Sequence, residues 1–304
     1  MSWSDKLMTS LDKRATVLHT SRGDVQLGRE GEGPPVLAIH GGPGGYDQGL
    51  ACWRHLWEGG CELLAPSRPG YLRTPVGSGR SPESQADLYA AILDALHIER
   101  AAILGVSSGG PSAVYFAARY PDRTIALSLD AALLLPIETP MNPLKRATIE
   151  SSPFVWLSYQ VAGRWPALAT SFAVDGMSEG LTKEQKKAAA DWINSDPSRL
   201  QGFQEQFTSI APRKYRQPGW TNDKNNENVG LEQLPFADIT APTLIAHGTA
   251  DAVVPLKHAT NAATRIPGGE LILVEEGYHL LSYSRNYGPV ALSLIHISEP
   301  TRLQ

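Results

Sequence analysis

Apolar residues recur along this chain with two periods, and the order in which those periods alternate predicts its layers. Residues 15–40 hold the short apolar-rich runs ATVLHT, DVQLGRE and VLAIH, divided by the polar turn GEGPP, which predicts strands that open a sheet. From Ser81 the rhythm changes. Ser81-Pro82-Glu83 is a helix-start signal, and Leu88, Ile92, Leu93 and Leu96 follow at helical spacing. AAILGV (101–106) is a continuous apolar run ahead of a glycine-bearing turn, the pattern of a parallel strand covered on both faces. A helix over 111–120 and another buried strand, TIALSLD (124–130), continue the alternation.

After LLLP the strand rhythm stops, and from Pro136 to Pro235 helical patterns replace it. Thr182 and Gln185 stand at capping-box spacing there, while Trp156, Leu157, Trp165 and Phe172 occur among few charges. The segment 136–235 reads as a helical cap inserted into a core formed by 1–135 and 236–291. PTLIAHG (242–248), a helix over 256–265 and ELILVEE (270–276) restore the strand–helix–strand order. The expected fold class is therefore α/β, a mostly parallel central sheet flanked by helices. LSLIHISEPTR (292–302) matches the translation of an adapter used in preparing sequencing libraries, so 292–304 reads as an accidental tail with no packing partner.

Composition narrows the partners. The 304 residues are 42% hydrophobic and carry a net charge of −4, with Lys and Arg scattered among a slight excess of Asp and Glu, so no basic face for nucleic acid is expected. No apolar run approaches a membrane span, and the first twenty residues lack a secretory pattern, which points to a cytoplasmic protein. Cys52 and Cys61 match no metal or redox spacing and read as reduced, partly buried thiols. Oligomeric state stays open.

The chemistry concentrates at the ends of the apolar runs. Gly105-Val106-Ser107-Ser108-Gly109 fits G-x-S-x-G between a strand and a helix, where glycines two positions either side of the serine remove collisions at a strained turn. A serine hydroxyl is a poor nucleophile at neutral pH and needs a histidine base and a carboxylate to orient it. Asp251, in HGTADAVVP, and His279, in GYHLL, each follow a strand, at the sheet edge where open parallel sheets place their sites. His40-Gly41-Gly42-Pro43-Gly44-Gly45 follows VLAI, and its glycines let backbone approach a substrate; the Gly42 and Ser108 N–H groups are the expected oxyanion donors. His40 reads as structural, His247 and His258 as structural or solvent-facing, and Asp130, ending TIALSLD, as the less favoured alternative acid.

The elbow GVSSG, the loop HGGPGG, the acid loop HGTAD and the histidine loop GYH together resemble the α/β-hydrolase superfamily over roughly residues 15–285, least closely in the cap. HGGPGG resembles the branch that holds proline iminopeptidases. That branch has a tryptophan after the nucleophile and a DQRG-type segment upstream, where this chain has Ser108 and Ser67-Arg68-Pro69-Gly70. The resemblance implies a serine hydrolase, since epoxide hydrolases and haloalkane dehalogenases place an aspartate where Ser107 stands. The expected reaction is cleavage of a small carboxylic ester through an acyl-enzyme, with no cofactor. An aminopeptidase is the alternative and would need a cap carboxylate, Glu205 or Glu150, for the substrate ammonium; a noncatalytic ligand receptor is the distant one.

Overall fold

A computed structural model describes residues 1–137, 144, 147–148, 150–226 and 230–298. Eight strands, β1 (Thr16–Thr20), β2 (Gly23–Glu30), β3 (Pro35–Ile39), β4 (Glu62–Pro66), β5 (Ala101–Val106), β6 (Thr124–Asp130), β7 (Thr243–Gly248) and β8 (Glu270–Val274), form one sheet in the order β1-β2-β4-β3-β5-β6-β7-β8. The β1–β2 and β2–β4 pairs are antiparallel, and every pair from β4 to β8 is parallel. β5 and β7 are buried at every position, as their continuous apolar sequence requires, whereas edge strand β1 is mostly exposed.

Alternate residues of the inner strands feed two cores. Leu37, Ile103, Leu127 and Ile245 pack against the Pro82–Ala95, Gly110–Arg119 and Lys257–Arg265 helices. Val36, Ala102, Leu104 and Leu244 pack on the opposite face against the Trp3–Asp12, Tyr46–Cys52 and Gly288–Ser298 helices. Each such fully buried leucine or isoleucine contributes roughly 1.5–3 kcal/mol of transfer free energy. The Pro82–Ala95 helix begins as its sequence signals: Ser81 Oγ accepts from Ser84 N at 3.2 Å with Pro82 in the first turn. Strand β4 and the helices over 3–12, 46–52 and 54–58 are not among the elements expected from the sequence. Glu62–Pro66 holds only the four-residue apolar run Leu63 to Pro66, too short for periodicity to tell strand from helix.

Between β6 and β7 the described chain forms the helices Ser152–Arg164, Pro166–Met177, Lys183–Asn194, Pro197–Thr208 and Gln217–Asn226. The Thr182 capping box forms reciprocally, with Gln185 N to Thr182 Oγ1 at 3.2 Å and Thr182 N to Gln185 Oε1 at 2.8 Å. Residues 138–143, 145–146, 149 and 227–229 of the expected cap, and 299–304 of the expected tail, lie outside the described residues. The expectation that the tail has no packing partner is corrected. Its first residues continue the Gly288–Ser298 helix, and Leu294 is fully buried in the second core. Cys52 and Cys61 are not joined in a disulfide, and both are buried rather than partly so. Among the described residues no helix is long and apolar enough to cross a membrane.

Candidate active site

Ser107 follows β5 at φ +51°, the left-handed region, in a short helical turn that leads into the Gly110–Arg119 helix. The flanking glycines are sterically required. A Cβ on Gly105 would lie 2.7 Å from Ala113 Cβ, and one on Gly109 would lie 2.6 Å from the carbonyl oxygens of Ile39 and His40. Held this way, Ser107 Oγ stands 3.2 Å from His279 Nε2, and His279 Nδ1 stands 2.9 Å from Asp251 Oδ2. With the carboxylate as acceptor, Nδ1 carries the proton and Nε2 presents its lone pair to the serine hydroxyl.

Asp251 is held from several sides. Asp251 Oδ1 accepts the N–H groups of Val253 and Val254 at 2.8 and 3.0 Å. Burial pushes its pKa up, but His279, by charge and hydrogen bond, and the Val254 N–H outweigh burial and hold the carboxyl below its ordinary value. His247, fully buried, donates from Nε2 to Val254 O at 2.9 Å and lies 3.8 Å from Asp251 Oδ2. Burial keeps its pKa low, against the pull of Asp251, so it is a neutral brace for the acid loop. The inserted helices reach the same place: Met177 O accepts from Ala252 N at 3.2 Å and from His279 N at 3.4 Å.

The HGGPGG loop runs against the serine. A Cβ on Gly41 would meet Ser107 Cβ at 2.9 Å, which places bare backbone beside that serine. Gly41 N is committed to Gln48 Oε1 at 2.8 Å, so the following N–H, that of Gly42, is the next donor along the loop. His40 is structural, as expected. Its Nδ1 donates to Gly41 O at 2.6 Å and its Nε2 accepts from Arg68 N at 2.8 Å; burial, reinforced by the Arg68 and Arg216 charges, holds its pKa well below the usual range. His258 is structural too, its Nδ1 accepting from Leu134 N and Leu135 N at 3.0 Å each.

The remaining candidates do not join the site. Asp130 accepts from Ser128 Oγ at 2.7 Å and from Trp53 Nε1 and Tyr287 Oη at 3.2 Å each. Glu205 pairs with Arg54 at 3.6 Å, and Glu150 with Arg213 at 3.4 Å. Sequence reasoning missed Arg68, Tyr71, Trp220 and Asp223, which surround the HGGPGG loop. The one signal, and it touches Arg68 alone, was that Ser67-Arg68-Pro69-Gly70 departs from the iminopeptidase pattern.

A model of the alpha/beta hydrolase fold family matches residues 34–285, more than half of the chain. The chain belongs to the α/β-hydrolase fold family. Among its relatives is the uncharacterized hydrolase YcgS of Bacillus subtilis (strain 168), 27% identical over 281 residues, covering 89% of this chain and 93% of that one. Another is the 2-hydroxy-6-oxo-2,4-heptadienoate hydrolase of a Pseudomonas putida strain, 27% identical over 277 residues, with 88% and 91% covered. An alpha/beta hydrolase fold protein from Nakamurella multipartita superposes with a TM-score of 0.86 at 33% identity, over 93% of this chain and 98% of that one. Family membership and hydrolase-named relatives support a hydrolase.

Proposed function

We propose that this α/β hydrolase cleaves carboxylic esters through an acyl-enzyme, with Ser107 as nucleophile, His279 as general base and acid, and Asp251 as the group that orients the imidazole. The observation that carries it is the hydrogen-bonded chain Ser107 Oγ to His279 Nε2 at 3.2 Å and His279 Nδ1 to Asp251 Oδ2 at 2.9 Å, on a serine at positive φ. Ser107 Oγ attacks the carbonyl carbon as its proton passes to Nε2. The N–H groups of Gly42 and Ser108 receive the negative oxygen, the imidazolium protonates the departing alkoxide, and water then releases the acid by the same route. The helices of 136–235 act as a cap over this edge, bringing Met177 O to the acid and histidine loops.

The ester is preferred over the aminopeptidase because both glutamates that could hold a substrate ammonium are already paired with arginine. Ser107→Ala is expected to keep the fold and lower p-nitrophenyl butyrate turnover by several orders of magnitude; near-parental turnover would sink the mechanism. The kcat/KM for that ester is expected to exceed that for proline p-nitroanilide at pH 8. Because of the Pseudomonas relative, 2-hydroxy-6-oxo-2,4-heptadienoate belongs in the same assay. Faster turnover of the anilide or the dienoate than of the ester would overturn the esterase reading while leaving the serine mechanism standing.

A further inference from the structure

Arg68 and Asp223, 155 residues apart, form a bidentate ion pair at 2.8 and 2.5 Å in which both side chains are buried. Tyr71 Oη adds a third donor to Asp223 Oδ2 at 2.5 Å. The pair touches the HGGPGG loop at two points. Arg68 N donates to His40 Nε2 at 2.8 Å where the loop begins, and a Cβ on Gly42 would lie 3.1 Å from Asp223 Oδ2 and 2.7 Å from the Trp220 ring. Loop, arginine, aspartate and tryptophan thus close a circuit around the Gly42 peptide. The Gln217–Asn226 helix that carries Trp220 and Asp223 is itself seated on the core, with Gly219 N donating to Gly70 O at 2.8 Å.

We propose that Arg68, Asp223 and Trp220 are positioning residues for the Gly42 N–H, an inference that rests on the acyl-transfer reading above. An oxyanion donor works only if it sits about 2.7–3.1 Å from where the oxygen will be, and preorganisation is the source of its effect. Backbone rich in glycine does not hold such a geometry by itself. Inner contacts hold Gly41, whose N–H goes to Gln48 and whose carbonyl accepts from His40, but the outer side of Gly42 is bounded by the Trp220 ring and the Asp223 carboxylate. A buried ion pair gives no stability that well-packed apolar side chains could not give, whereas its fork geometry fixes direction.

The test compares the parent with Asp223→Asn, the double variant Arg68→Met/Asp223→Leu, Trp220→Ala and Trp220→Phe. The readouts are melting temperature, kcat and KM for p-nitrophenyl butyrate, and inhibition by butylboronic acid as a tetrahedral mimic. Loss of the pair or of the ring should lower kcat about 100-fold, the scale of a misplaced group, with KM within threefold and boronate affinity falling in step with kcat. Trp220→Phe, which keeps a ring against Gly42, should recover most of the rate. Trp220 is half-buried, so Trp220→Ala tests the idea even if the pair variants do not fold. A folded Trp220→Ala or double variant with parental kcat, or one that raises KM alone, would overturn it. Failure of the acyl-transfer reading looks different: the parent would not turn over the ester, or Ser107→Ala would turn it over at the parental rate.

Discussion

Two aspartates whose side chains are buried stand near the same edge of the sheet, and they differ in what surrounds them. Asp130 ends β6 in register with Ala246 of β7, and Asp251 follows β7 by a short loop. Both are withdrawn from water. Asp130 meets three neutral donors, Ser128, Trp53 and Tyr287, and burial outweighs their hydrogen bonds, so its pKa is raised. Asp251 meets two backbone N–H groups and an imidazole able to become a cation, and its pKa is lowered despite burial. Burial pushes both acids the same way; the partner decides the sign. A strand-end carboxylate can therefore orient an imidazole only where a histidine loop reaches it, and here that loop reaches β7 rather than β6.

The largest expected effect tests that difference directly. Asp251→Asn should lower kcat about 10⁴-fold, as when an orienting acid is replaced by an amide that favours the wrong tautomer. Asp130→Asn should change kcat less than threefold, and a reversed ranking in steady-state kinetics would move the acid to Asp130. The next effect is on stability. Leu294 is buried in the helix that packs beside β6, so Leu294→Ala should cost about 2–5 kcal/mol in denaturant unfolding while the kcat of the folded enzyme stays unchanged. An unchanged midpoint would return this segment to the status of an accidental tail.

The smallest effect sharpens the electrostatic contrast. Asp130 has a raised folded pKa, so its contribution to stability is complete below the unfolded carboxylate range and is lost as pH rises through the folded value. The unfolding free energy of Asp130→Asn minus that of the parent should therefore increase with pH from about 4 upward. For Asp251→Asn the difference should run the other way, because the lowered pKa of Asp251 gives stability that is lost as pH falls through its folded value. Parallel pH profiles for the two variants would show that the partners do not set the difference.

Much of this was legible in the residues because its causes are local. Continuous apolar runs marked β5, β6 and β7, Ser81 and Thr182 announced their helices, and G-x-S-x-G states the steric demand of a turn within five residues. The order of Ser107, Asp251 and His279 along the chain followed from the same strand ends. Strand β4 was not legible, since the four apolar residues after Glu62 fit either period. Nor was the burial of Leu294, whose sequence context pointed to no fold at all.

The choice of partners belonged to the tertiary structure alone. Chain order favoured Asp251 over Asp130 but named no contacts for either; the fold gives one of them Trp53, Ser128 and Tyr287 and the other His279. Nothing near Arg68 announces Asp223, and nothing near Glu205 or Glu150 announces Arg54 or Arg213. The physical reason is range. Periodicity, capping and turn sterics act between residues a few positions apart and are written in the order of the chain, whereas a charge or a hydrogen bond acts across a few ångströms of space that only packing of distant segments creates.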